Sequence, residues 1–144
     1  MIRVLNENDF DEYYRVRLKS LEDHPEAYSS MPKFFKEATN EIHLKLLNDS
    51  ASESNFYLLG HFYENKLTGI IGLKPESRES VIHKATLWGF YVDPEFRNSG
   101  IGKKLIQKLL SITKEKSNLR YIRLMVAASC KEAISLFEQV GFDN

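Results

Sequence analysis

The segment Ala85–Val92 (ATLWGFYV) is apolar on both faces, and Pro94 follows two residues later. A strand with no polar face needs cover above and below, so it belongs inside a sheet with other elements packed on either side. Gly89 interrupts it. A glycine within a strand weakens the pairing and marks a bulge, or a point where another group comes close to the backbone. Asp93-Pro94-Glu95-Phe96-Arg97-Asn98-Ser99 then makes a turn, and Gly100-Ile101-Gly102-Lys103 opens a helix predicted over 100–116, with Ile101, Leu105, Leu109 and Ile112 on one face.

A buried strand, a turn and a helix start in this order form a site for an anion. The first amides of a helix are unpaired donors at the positive end of its dipole. Gly100 and Gly102 have no Cβ, so a phosphate can approach the backbone, while Arg97 and Lys103 add charge at either end. A pyrophosphate fits this pattern. A GxxxxGK[ST] phosphate loop does not, because Arg97 stands at the first glycine and Lys104 replaces the Ser/Thr; a GxGxxG dinucleotide turn fails at Leu105. A bare GxG is more often an empty turn, but here the strand, Arg97 and the helix accompany it.

The rest of the chain supplies a frame of βααββ(β)αβα order. Ile2–Leu5 reads as a strand. Residues 9–23 read as a helix carrying Phe10, Tyr13, Tyr14, Arg17, Leu18 and Leu21, with Asp9 and Glu12 as a capping box and His24-Pro25 as its stop. A second helix after Pro32 carries Phe35, Ala38, Ile42 and Leu46, and Asn48–Asn55 reads as a polar loop. Phe56–Tyr63 and Leu67–Lys74 form a hairpin through Glu64-Asn65-Lys66, followed by a turn at Pro75–Ser80. Arg120–Ala127 is a strand and Ser129–Val140 a helix, with Ser129 and Glu132 as a second capping box and Gly141 as the stop.

The 144 residues fit one domain, 1–144. Lys plus Arg equals Asp plus Glu at 20 each, which removes the broad basic field a nucleic-acid binder relies on. No apolar run is long enough to span a bilayer, and the lone cysteine, Cys130, forms no internal disulfide. The expectation is a cytoplasmic protein with no nucleic-acid partner, no membrane and no metal.

LWGFYVDPEFRNSGIGKKL resembles the acyl-donor motif of the GCN5-related N-acetyltransferase (GNAT) superfamily, R/Q-x-x-G-x-G/A after a strand ending in a pair such as YV. HPEAYSS and ISLFEQVGF resemble flanking segments of bacterial members. The resemblance implies a mixed α/β fold: a twisted, mostly antiparallel sheet splayed after the strand at 85–92, with helices on both faces. It implies acetyl-CoA (or CoA) as co-substrate and a small-molecule or peptide amine as acceptor, acetylated by direct attack in a ternary complex. The CoA pyrophosphate would meet Arg97, Asn98, Ser99, Gly100, Ile101, Gly102 and Lys103. The pantetheine arm would lie along the backbone of Phe90, Tyr91 and Val92, with Cys130 and Phe137 nearby.

Three positions depart from the family pattern. Phe137 stands where many relatives carry a Tyr that protonates the departing thiolate, Cys130 where an Asn contacts pantetheine, and Met125 where a Glu sometimes lies. Either positioning alone drives the reaction, a resource of about 7–11 kcal/mol, or the chain is a CoA-binding module with little turnover. No general base is named; Glu26, His83, Glu95 and Tyr91 lie near the expected cleft, and each is also accounted for as a solvated or structural residue. Cys130 reads as a small buried apolar residue or as a thiol activated at a helix start. Tyr13, Tyr14, Phe34 and Phe35 read as core before they read as a substrate cage; the first two helices border the acceptor cleft in relatives, which implies that Glu26–Met31 shapes substrate choice. The sequence stops two residues after Gly141-Phe142, where relatives continue with further strands. That predicts an exposed edge at 120–127, and with it a homodimer or a loosened last helix.

Overall fold

The computed structural model describes residues 1–23, 31–51, 57–75, 84–116, 121–124 and 131–142. Cys130, Met125, Ser129, Glu26, His83, the His24-Pro25 stop and the turn after Pro75 lie outside the described residues. Strands β1 (Ile2–Val4), β2 (Tyr57–Tyr63), β3 (Lys66–Pro75), β4 (Lys84–Val92) and β5 (Tyr121–Leu124) form one sheet in that order. The first three pairings are antiparallel; β4 and β5 are parallel, as a helical crossover requires. The sheet is therefore mostly antiparallel, with β4 in its interior.

Helices cover both faces. On one side α1 (Phe10–Glu22), α2 (Met31–Glu37) and α3 (Asn40–Ala51) close a core of Leu5, Tyr13, Val16, Leu47, Leu58, Leu67, Ile70 and Tyr91. On the other, α4 (Ile101–Lys116) and α5 (Lys131–Gln139) close a core that includes Leu59, Ile71, Leu73, Leu87, Leu105, Leu109 and Phe137. Consecutive residues such as Leu58/Leu59 and Ile70/Ile71 enter opposite cores, the period-2 signature of a sheet covered twice. Among the described residues no helix is long and apolar enough to cross a membrane.

Three local expectations need correction. The capping box lies one step earlier: the Asn6 side chain accepts from Asn8 N and the Asp9 carboxylate from Asn6 N, capping a short 3-10 turn at Glu7–Asp9. Asp9 is unavailable to α1 because Arg3 grips both its oxygens, at 2.7 and 2.8 Å. The expected second helix is two: α2 ends before Thr39, whose hydroxyl and carbonyl accept from Ile42 N and start α3. The phase shifts with that break, so Ile42 is exposed and His43 buried. Finally, α3 continues into the polar stretch expected to be loop. Ser50 explains this, for its buried hydroxyl accepts from Leu58 N at 2.9 Å and donates to Leu58 O at 3.2 Å. The hairpin holds, with the tighter two-residue turn Glu64-Asn65, both at positive φ.

Candidate active site

Between the pairs Ile70↔Tyr91 and Gly72↔Trp88 one residue of β3, Ile71, faces two of β4, so β4 carries an extra residue at Gly89–Phe90. Gly89 takes φ +67, the left-handed conformation a bulge of this type demands. The expected bulge is therefore present. On the far side, β5 pairs with β4 over Lys84–Leu87 among the described residues. Asp93 N donates to Thr68 O at 2.8 Å. Strand alternation then directs the backbone of Tyr91 toward β3 and that of Val92 away from it. Arg97 takes the Val92 carbonyl, donating from Nε at 3.0 Å.

The turn that follows is built by side chains. Asp93 is 2% exposed and its Oδ1 accepts from Glu95 N at 3.0 Å, which starts the turn at Pro94–Phe96. Ser99 Oγ donates to Phe96 O, and Asn98 and Gly100 adopt φ 64 and 83. These left-handed residues point the chain into α4, with Gly100 O accepting from Lys104 N at 3.1 Å. The amides of Ile101, Gly102 and Lys103 thus form the open first turn. Among the described residues nothing lies within 4 Å of a Cβ placed on Gly100, so an anion has room there. Gly102 differs: its Cβ would lie 3.0 Å from both Phe90 Cζ and Leu136 Cδ2. Its missing Cβ lets α4 approach the sheet.

Of the expected site residues, Arg97, Asn98, Ser99, Gly100 and Lys103 are exposed around this turn, while Ile101 and Gly102 are buried beneath it. Phe137 is 2% exposed and meets Phe90 edge-on at 5.1 Å and Phe142 at 5.4 Å, so its ring lies in the core under α4 and α5. The Tyr91 side chain faces the α1 side, where its hydroxyl donates to Asp23 Oδ2, and the Arg97 guanidinium lies 5.4 Å from its ring centroid. Burial, then the Asp23 carboxylate, pushes the phenol well above its ordinary value. Glu95 is exposed and pairs with Lys66 at 3.6 Å. Tyr13, Tyr14 and Phe35 form a ring cluster with His43, as the core reading predicts, whereas Phe34 is exposed.

Sequence reasoning missed what α1 contributes. Leu67 N donates to Glu12 Oε1 at 2.9 Å and Arg15 Nη2 donates to Leu67 O at 3.0 Å, so this ion pair fastens α1 to β3. Arg15 and Lys19 approach the buried Asp93 at 3.8 and 3.7 Å. Arg17 lies over Trp88, 5.3 Å from its ring centroid, beside the bulge. The signal was available as three cations at alternate positions of a helix, but nothing local says which carboxylate each will meet.

A bulged interior strand, a left-handed turn and the helix it opens, set in a mostly antiparallel sheet covered on both faces, define the class of fold. Residues 12–142 match the acetyltransferase (GNAT) family, and the chain belongs to it. A ribosomal protein bS18-alanine N-acetyltransferase of Escherichia coli is 36% identical over 64 residues, which cover 44% of this chain and 43% of that protein; the match thus spans less than half of that relative. A spermine/spermidine N(1)-acetyltransferase of Bacillus subtilis is 29% identical over 102 residues, 68% of this chain and 67% of that one. The PaiA N-acetyltransferase of Thermoplasma acidophilum, solved in complex with coenzyme A, superposes with a TM-score of 0.83 at 26% identity, covering 99% of this chain and 89% of that one. A Streptococcus pneumoniae acetyltransferase of the same family shares the fold with a TM-score of 0.81 at 23% identity, covering 99% and 84%.

Proposed function

We propose that this chain transfers the acetyl group of acetyl-CoA to a primary amine within a ternary complex. The observation that carries this reading is the turn into α4, where left-handed Asn98 and Gly100 present the first amides of the helix beside open space. Those amides, with Arg97 and Lys103, would hold the pyrophosphate. The backbone of Val92 and Phe90, turned away from β3 next to the bulge, would receive the pantetheine arm as a strand receives a neighbour. CoA supplies an acyl group activated as a thioester. The protein supplies placement, worth about 7–11 kcal/mol when two reactants are held in register. A backbone N–H aimed at the thioester oxygen adds about 2.7–4 kcal/mol.

A second reading, a CoA-binding module with little turnover, is favoured by the burial of Phe137, which offers no hydroxyl to a leaving thiolate. Release of free thiol from acetyl-CoA in the presence of an amine panel, alongside thermal shift, separates the two. Transfer predicts amine-dependent thiol release together with a raised Tm; saturation at 100 times Kd adds about 2.7 kcal/mol. Stabilisation without thiol release supports the module, and equal stabilisation by CoA, NAD and ATP would remove the cofactor assignment.

A further inference from the structure

The cations of α1 divide by partner. Arg15 is paired with Glu12 at 2.9 Å and faces Asp93 Oδ2, and Lys19 faces Asp93 Oδ1. Arg17, between them in sequence, meets no carboxylate among the described residues. Its Nη1 donates to Ser20 Oγ at 3.3 Å, and its guanidinium carbon sits 5.3 Å from the Trp88 ring centroid. Trp88 is itself fixed, its indole lying across Gly72 so closely that a Cβ there would collide with it. The Tyr13 phenol also faces it, so the guanidinium is placed by an aromatic face and two hydroxyls, none of which neutralises it.

Its position matters more than its charge. A Cβ on Gly89 would lie 3.6 Å from Arg17 Nη1, and apart from the chain neighbours Trp88 and Phe90 no other described side chain comes within 4 Å of that point. Arg17 is therefore the side chain that flanks the bulge on the α1 face of the sheet. A guanidinium carries five N–H donors in a planar fork, and those not spent on Ser20 suit the two oxygens of a carboxylate.

We infer that Arg17 is a specificity-determining residue that takes a carboxylate of the acceptor, so the preferred acceptor is a small amine bearing a carboxylate, an amino-acid-like zwitterion, and not a polyamine. The inference rests on the reading above, in which the acyl group is delivered along β4 next to the bulge. Like charges repel, so a polycation is disfavoured at the same place.

The test compares an L-amino acid with its carboxamide, and both with spermidine, by thiol release in the wild-type chain, Arg17→Gln and Arg17→Lys. The wild type is expected to prefer the amino acid over the carboxamide by about tenfold or more in kcat/KM, equivalent to about 1.4 kcal/mol. Arg17→Gln should collapse that ratio toward one, chiefly through KM, and improve spermidine. Arg17→Lys should retain part of the preference. CoA affinity should stay the same in all three, separating an acceptor role from a general loss of structure. Thiol release with spermidine favoured, or a ratio unchanged in Arg17→Gln, overturns the assignment. If no amine releases thiol, transfer itself is refuted. Calorimetric titration of the CoA-saturated chain with the amino acid and its carboxamide then still reads the preference, and equal binding or none overturns the role of Arg17.

Discussion

The ring of Phe90 meets that of Phe137 edge-on at 5.1 Å, and the two close the space between the bulged strand and the last described helix. Phe137→Tyr would carry a hydroxyl into this apolar contact. Burying a hydroxyl without a partner costs about 1–3 kcal/mol. The expected outcome is a lower Tm with no gain in thiol release. A rise of tenfold or more would mean that the para position reaches the departing sulfur and that protonation limits turnover.

Gly100 and Gly102 should fail in different ways. Gly100→Ala strains a position at φ 83, a cost of about 1–3 kcal/mol, and alters the turn that presents the α4 amides. CoA affinity should fall more than stability. Gly102→Val drives its branches into Phe90 and Leu136. Such overpacking costs about 1–3 kcal/mol, so Tm should fall first. Thermal melts and calorimetric CoA titration on both variants read the split, and the reverse order would move the anion to Gly102.

Ser50→Ala removes the partner of both Leu58 N and Leu58 O at a site 2% exposed. Leaving a buried amide unpaired costs about 1–3 kcal/mol. Chemical denaturation should show that loss with an unchanged m-value. A neutral result would mean that water replaces the hydroxyl and that another contact holds the end of α3.

The acid limb of stability should trace to α1. The Arg3 guanidinium holds the Asp9 carboxyl below its ordinary value of 3.8, and Arg15 holds Glu12 below 4.5. A depressed value in the folded state means that unfolding takes up protons, so the contribution is complete above those ordinary values and is lost as pH falls through and below them. Tm should be flat from about pH 7 to 5.5 and fall below about pH 4.5. The pair of changes Asp9→Asn and Glu12→Gln should lower Tm at pH 7 and flatten the acid slope. An unaltered slope would assign the acid sensitivity to other carboxylates.

Much of the frame was legible because periodicity reports burial directly. The unbroken apolar run Ala85–Val92 placed β4 inside the sheet, and Gly89 marked its bulge. What stayed hidden depended on partners far away in the chain. Asp9 looked like a helix cap until Arg3 claimed it, and Ser50 looked like loop until Leu58 gave it two hydrogen bonds. The packing of Gly102 against Phe90 and Leu136 was not legible either, because the GxG pattern does not say which way each Cβ would point. Arg17 was indistinguishable from Arg15 and Lys19, since a helix sequence shows spacing but not which neighbouring strand carries the carboxylate.

The pair of side chains that ties α1 to Leu67 has a further effect. Glu12 accepts from the amide and Arg15 donates to the carbonyl of the same residue, so together they occupy the two valences that a neighbouring peptide unit would use. A helix anchored at both poles of one residue cannot roll about its axis without breaking both bonds. The azimuth of α1 is thereby decoupled from the apolar side chains below it. Arg17, on the same helix, is thereby held at a fixed height over Trp88 and the bulge.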